Sequence, residues 1–165
     1  MDRTTGTIAA YPGTFDPITN GHVDLIRRGA GVFGELVVAV GDNPEKTCLL
    51  SAAERLDLAK AAVGELGLPN VRVERYGGLT VDFARQIGAT VLLRGIRDPS
   101  DLHYEMRIAH TNRQMTGVET AFMLPAPQWA FLSSELVRQI ARQGRDVSAM
   151  VPAAVAAHLA RRENR

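Results

Sequence analysis

The chain has a single cysteine, Cys48, so no disulfide can form within it, and a reducing cytoplasm is the plain reading. Charge of one sign is also lacking: 19 lysines and arginines stand against 18 aspartates and glutamates, a formal net charge of +1. That balance excludes a surface given over as a whole to nucleic acid or membrane, so any positive field is local. No apolar run approaches the ~20 residues of a membrane span, and the opening MDRTTGTIAA has neither the apolar core nor the flanks of a signal peptide. Two phosphate-binding fingerprints are missing as well, since GxxxxGK[ST] does not occur and the first turn carries no GxGxxG. His103, His110 and His158 have no ligand spacing with cysteine or carboxylates, so a structural metal is not expected. No repeat or low-complexity segment is found, and only the first few residues and the tail RRENR read as loose.

What is present is an alternation of two periods. Short apolar runs rich in β-formers, at 7–11, 36–40, 71–76, 90–93 and 119–124, predict strands. Segments of helical period lie between and after them, at 21–32, 51–65, 80–88, 100–116, 133–143 and 152–162. Ser51 followed three residues later by Glu54 has the spacing of a capping box at one helix start. Near-continuous apolar strands with helical crossovers imply a parallel sheet covered on both faces. The expected fold is one doubly wound, Rossmann-like α/β domain over 1–165, with five parallel strands and helices on both faces.

Ligands in such sheets sit outside the carboxyl ends of the strands, and the unusual residues gather there. After the first strand comes PGTFDPITNGH, a proline- and glycine-rich loop with Thr14, Phe15, Asp16 and His22. After the second comes GDNPEK with Lys46, after the fourth RGIR with Arg94, Gly95, Ile96 and Arg97, and after the fifth PAPQWAFLSSELVR. Lys46, Arg94 and Arg97 supply cations, while Thr14, His22, Ser133 and Ser134 supply neutral or switchable donors. Helix N-termini near residues 20 and 133 offer free N–H groups and the positive dipole end. Together these describe a site for more than one phosphate. Asp16 reads better as a turn residue satisfying N–H groups than as a metal ligand. Trp129 is equally a packing residue or a stacking platform, and Cys48 reads as a small packed residue.

These residues carry a resemblance. Thr19-Asn20-Gly21-His22 resembles the (H/T)-x-G-H signature of the α/β nucleotidyltransferases, and Leu132-Ser133-Ser134 with Arg138 resembles their second signature, I-S-S-x-x-x-[RK]. The longer strings YPGTFDPITNGHVDLIRR, LLRGIR, YEMRIAHTNR and FLSSELVRQIA are similar to the bacterial phosphopantetheine adenylyltransferase family, from Tyr11 to about Val151. The resemblance implies transfer of AMP from ATP to 4′-phosphopantetheine, giving dephospho-coenzyme A and pyrophosphate, with Mg²⁺ as cofactor. It further implies a homohexamer with coenzyme A as a feedback ligand, while the single cysteine, the charge balance and the short apolar runs give a cytoplasmic protein with neither nucleic acid nor membrane as partner. By the same resemblance Thr14 positions the incoming phosphate and His22 stabilises the transition state, while Lys46, Thr80 and Arg94 bind phosphopantetheine. Phe15, Gly95, Ile96, Arg97, Glu105, Trp129, Ala130, Phe131, Leu132, Ser133, Ser134 and Glu135 line the ATP site, joined there by Thr14 and His22. Two positions depart from the family pattern: Glu135 stands where a third serine is common, and Thr80 where a bulky apolar residue is common. The chemistry needs no general base, because a phosphate monoester with a second pKa of about 6 is already largely ionised at neutral pH. Positioning and electrostatics are what the protein must supply.

Overall fold

The computed structural model describes residues 6–163. Each expected segment forms, with ends shifted by a residue or two: β1 (Ile8–Gly13), α1 (Asn20–Val32), β2 (Glu35–Asp42), α2 (Ala52–Gly64), β3 (Val71–Gly77), α3 (Thr80–Gln86), β4 (Val91–Gly95), α4 (Pro99–Thr116), β5 (Glu119–Met123), α5 (Ser134–Ala141) and α6 (Ala153–Glu163). A single 3₁₀ turn at Pro127–Trp129 precedes α5. The first five residues and the last two lie outside the described residues, and α6 runs into the basic tail that read as loose.

All strand pairs are parallel and the spatial order is β3-β2-β1-β4-β5. The chain winds outward from β1 to β3, then crosses back to lay β4 on the other side of β1. The reversal opens a crevice at the carboxyl ends of β1 and β4, where such sheets bind ligands. The central strands are apolar on both sides: Leu36, Val37, Val38, Ala39 and Val40 are all at 0% exposure, as the near-continuous hydrophobic run requires.

The two faces are covered unequally. Ala9, Tyr11, Leu36, Val38 and Leu93 pack against α1, α2, α5 and α6 through Leu25, Ile26, Leu58, Val137, Val155 and Leu159. Ala10, Val37, Ala39 and Leu92 meet α3 through Val81, Phe83 and Ala84. The only buried residue of α4 is Glu105, and Leu102, Tyr104, Met106 and Met115 along it are exposed. Its ends are nonetheless well made. Asp98 caps the start by accepting from the Ser100 and Asp101 N–H groups, and Gly117 closes the end in the left-handed region, where glycine is favoured. Ser51 and Glu54 form the expected capping box on α2. No helix of the described residues is long and apolar enough to cross a membrane.

Candidate active site

The loop between β1 and α1 has little regular structure of its own, and three distant segments hold it. Both carboxylate oxygens of Asp16 accept backbone N–H groups, from Leu49 (2.8 Å) and Leu50 (2.9 Å). Arg138 on α5 donates to the Asp16 carbonyl at 2.6 Å, and Ser134 donates to the Pro17 carbonyl at 2.8 Å. Arg55 on α2 donates to the Thr14 carbonyl at 2.7 Å. Asp16 therefore does satisfy N–H groups, but those of a segment 33 positions further on rather than of its own turn. Phe15 has φ +49° and Asp16–Pro17 is cis. A bulky residue in the left-handed region costs on the order of 1–3 kcal/mol and persists only where its surroundings over-determine it. Here the Phe15 ring is buried, edge-on to both Tyr11 and His22. It also lies over Gly13, where an added Cβ would come within 2.9 Å of the ring.

Two cavities open along the carboxyl edge. One, of about 350 Å³, is lined by Phe15, Gly21, His22, Gly95, Arg97, Glu105, Trp129 and Leu132 to Glu135, among others. The second, of about 390 Å³, is lined by Gly41, Asp42, Lys46, Tyr76, Gly78 and Thr80. Pro12, Gly13, Thr14 and Arg94 line both. Most of the residues singled out in the sequence are thus brought together. Ile96, Ala130 and Phe131 line neither cavity: Ile96 is buried with its N–H on the Met123 carbonyl, and Phe131 is 61% exposed.

His22 sits in the first turn of α1, which Thr19 caps. The His22 N–H reaches Thr19 Oγ1, while His22 Nδ1 accepts from the Thr19 N–H at 3.0 Å. This is a capping box with histidine where glutamate or glutamine is usual. A backbone N–H can only donate, so Nδ1 is the unprotonated nitrogen and the neutral ring carries its proton on Nε2. Burial, then the positive charges of Arg97 and Arg94, lower the His22 pKa from 6.5 to about 4. At neutral pH it is an uncharged N–H donor at a helix N-terminus.

The cations are set in different ways. Arg94 gives Nε and Nη2 to the two oxygens of Glu105 (2.9 and 2.5 Å) and Nη1 to the Pro12 carbonyl (2.6 Å). Three of its five N–H bonds are thereby used to orient it, leaving two. Arg97 pairs with Asp101 at 2.9 Å. Lys46 is exposed, has no ion pair among the described residues, and lies 3.4 Å from Thr14 Oγ1. The N-terminus of α5 points into the first cavity with Ser133 and Ser134 on its wall. The arrangement can hold two phosphorylated molecules end to end, their phosphates meeting at the wall of Thr14 and Arg94.

The comparisons with known proteins agree with that geometry. Residues 10–140 match the cytidylyltransferase-like family model. The chain is 48% identical over 153 residues to a phosphopantetheine adenylyltransferase of Thermosynechococcus vestitus, covering 92% of this chain and 90% of the other. It is 50% identical over 155 residues to the protein of that name from Clavibacter michiganensis, covering 93% and 95%. The chain belongs to the phosphopantetheine adenylyltransferase family. The fold extends beyond it: nicotinic acid mononucleotide adenylyltransferase of Plasmodium falciparum, solved with NaAD, superposes with a TM-score of 0.70 at 13% identity over 96% of each chain.

Within this phosphopantetheine adenylyltransferase fold, three site residues escape a reading of motifs. Arg55 is 3% exposed and bonds only main-chain carbonyls at hydrogen-bonding distance, those of Thr14 and Gly41. Its sole signal is a charged residue on the buried side of α2, beside Leu58 and Ala59. Tyr76, at the end of β3, shares a 2.8 Å hydrogen bond with Thr80, so the hydroxyl at that departing position has a partner. Asp101 orients Arg97 and leaves no trace beyond an i, i+4 spacing. Of the carboxylates lining the cavities, Asp16 is engaged by N–H groups, Glu105 by Arg94 and Asp101 by Arg97, while Asp42 stands 3.8 Å from Arg55 and Glu135 accepts from Gln139 at 3.4 Å. Among the described residues no group of three His, Cys, Asp or Glu could hold a metal ion.

Proposed function

We propose that this chain transfers the adenylyl group of ATP to 4′-phosphopantetheine, giving dephospho-coenzyme A and pyrophosphate, a step of coenzyme A synthesis. The observation that carries this reading is the pair of cavities sharing the wall of Pro12 to Thr14 and Arg94. ATP occupies the cavity of Phe15, His22, Arg97, Glu105, Trp129 and Ser133 to Glu135. The acceptor occupies that of Lys46, Tyr76 and Thr80, with its phosphate at Thr14, Lys46 and Arg94.

A phosphate oxygen of the acceptor attacks the α-phosphorus of ATP. The bond to the β,γ-diphosphate breaks on the opposite side, and pyrophosphate leaves with the electron pair. No proton need be removed first. Lys46 and the two remaining N–H bonds of Arg94 draw the acceptor dianion against the nucleotide's own negative charge. His22 donates Nε2–H to the α-phosphoryl oxygens, whose charge grows toward the transition state. The N-terminus of α5 faces the departing diphosphate. Magnesium would fit as an ion carried by the nucleotide, because the first cavity's carboxylates other than Glu135 are committed to N–H groups and arginines; bound there it would neutralise phosphate charge. The exposed apolar positions of α4 support an assembly of copies; that it is a hexamer, sits in the cytoplasm and takes coenzyme A as a competing ligand are readings carried by the family alone.

The test offers ATP and Mg²⁺ with 4′-phosphopantetheine, nicotinamide mononucleotide or glycerol phosphate in turn and measures pyrophosphate release. Turnover with 4′-phosphopantetheine alone is expected. Comparable kcat/KM for nicotinamide mononucleotide would overturn the assignment.

A further inference from the structure

Four polar or charged side chains are buried among the described residues: Asp16, Thr19, Arg55 and Glu105. Asp16 fastens the loop, Thr19 caps α1 and Glu105 orients Arg94. Arg55 is the fourth, and the reaction as described makes no use of it. A guanidinium removed from water needs compensation, and this one receives little. Its nearest carboxylate, Asp42, is 3.8 Å away and 43% exposed, and its Nε has no hydrogen-bond partner. Its close partners are two carbonyls, both on Nη1: Thr14 at 2.7 Å and Gly41 at 2.6 Å.

The place of those carbonyls gives the arrangement its meaning. The ladder between β1 and β2 runs from Ile8 paired with Glu35 to Gly13 paired with Val40. Thr14 and Gly41 are the next residues of each strand, where the two chains part. Both line the second cavity, as does Asp42. Nη1 carries two hydrogens, enough for one bond to each carbonyl. The guanidinium thus bridges the two strands one step beyond their last direct pairing. On the far side of this bridge the Thr14 hydroxyl meets Lys46 Nζ.

We propose that Arg55 is a positioning residue for the acceptor. It clamps the parted ends of β1 and β2, sets the width of the gap that receives the acceptor's phosphate, and places a permanent positive charge beneath it. The inference rests on the reading of the second cavity as the acceptor site. Thr14 lines both cavities, but Gly41 and Asp42 line only the second, and the helices that wall only the first, α1, α4 and α5, are ones that Arg55 does not bond, so its effect falls more on the acceptor than on ATP.

The experiment is steady-state kinetics on the full chain, scaled to folded protein, for R55K and R55A against both substrates. R55K keeps the charge but loses the planar fork. It is expected to lower kcat/KM for 4′-phosphopantetheine about tenfold, and R55A about 100-fold, the scale of a small misplacement of reacting groups. The KM for ATP should change much less than that for the acceptor. Millimolar guanidinium chloride should restore activity to R55A and leave the unmodified protein unchanged. A residue that only stabilised the fold would lower the melting temperature, leave both KM values alone and show no rescue. Unchanged acceptor kinetics in R55K would overturn the proposal, as would equal effects on both substrates without rescue. R55K decides the matter if R55A does not fold. Failure of the unmodified protein to use 4′-phosphopantetheine is a different result and counts against the acceptor assignment itself.

Discussion

Replacing His22 separates its two bonds, because each nitrogen of the ring does a different job. Nε2–H faces the cavity and Nδ1 accepts from the Thr19 N–H. Alanine removes both. Loss of a donor to charge that appears only in the transition state costs about 2.7–4 kcal/mol, or roughly 100- to 1,000-fold in kcat, with both KM values nearly unchanged. Loss of the cap costs a further ~1 kcal/mol of stability, which is roughly 2–4 °C in melting temperature for a chain of this size. A lowered melting temperature in His22→Ala therefore does not by itself mark the residue as structural. His22→Gln resolves the matter, since glutamine at the third helical position can reach back to the Thr19 N–H but places no donor where Nε2 was. It should melt close to the unmodified protein and stay as slow as the alanine variant. The pH profile of pyrophosphate release gives a second reading. With a pKa of about 4, His22 contributes no limb to kcat between about pH 5.5 and 8. An acid limb in kcat/KM for the acceptor, near its phosphate pKa of about 6, should appear equally in His22→Gln. A limb in kcat near 6.5 that vanishes in the variant would show an imidazolium at work and refute the neutral donor. Full kcat in His22→Gln would remove the residue from the mechanism.

Further expectations concern the cations, the assembly and acid. Arg94→Ala should raise the acceptor's Kd well above that of the unmodified protein while changing ATP affinity less, and Glu105→Gln should follow it in the same direction, since Glu105 orients that guanidinium; titration calorimetry with each substrate checks both, and a loss confined to ATP would reverse the division of the site. Light scattering at micromolar concentration should give six times the 17.9 kDa chain mass, and a species of one chain mass would count against an assembly through α4. Stability should fall in two steps on acidification. His22 has a folded pKa of about 4 against 6.5 unfolded, so its contribution, on the order of 3 kcal/mol, is complete above pH 6.5 and lost as pH falls toward 4. Glu54, lowered to about 2 mainly by the Ser51 N–H, loses its contribution between pH 4.5 and 2. Urea titrations at pH 7, 5 and 3 test the order of the two steps.

Much of this molecule is legible in its sequence because the signals are local. Period-two and period-3.6 runs located all five strands and six of the helices, and Ser51 with Glu54 marked a helix start within one residue. The rule that ligands sit at the carboxyl edge gathers Thr14, His22, Lys46, Arg94 and Ser133 from the letters alone. What escaped is long-range and ends on main-chain atoms. A carbonyl such as that of Thr14 or Gly41 carries no side-chain identity, so nothing in the letters pairs it with Arg55. Asp16 showed its habit of accepting N–H groups but not which ones, because Leu49 and Leu50 meet it only when the fold closes. Along α4 the letters mix apolar Leu102, Met106 and Ile108 with several charges, a pattern that suits a partly buried contact between copies, and within the chain only Glu105 is buried there. Ile96, Ala130 and Phe131 came from resemblance to a run of neighbours, and a run alternates its side chains between the cavity and elsewhere.

The bond from Arg94 to the Pro12 carbonyl joins residues 82 positions apart. The reacting groups are thus neighbours only while β1 and β4 lie side by side, and no stretch of chain short of both holds the crevice. Any unfolding that parts those strands must release whatever is bound between them. Substrate binding is then linked to the whole cooperative unit rather than to a loop, and a ligand at 100 times its Kd adds about 2.7 kcal/mol to global stability. A protein with this layout reports occupancy of its site through its resistance to denaturation, residues far from the crevice included.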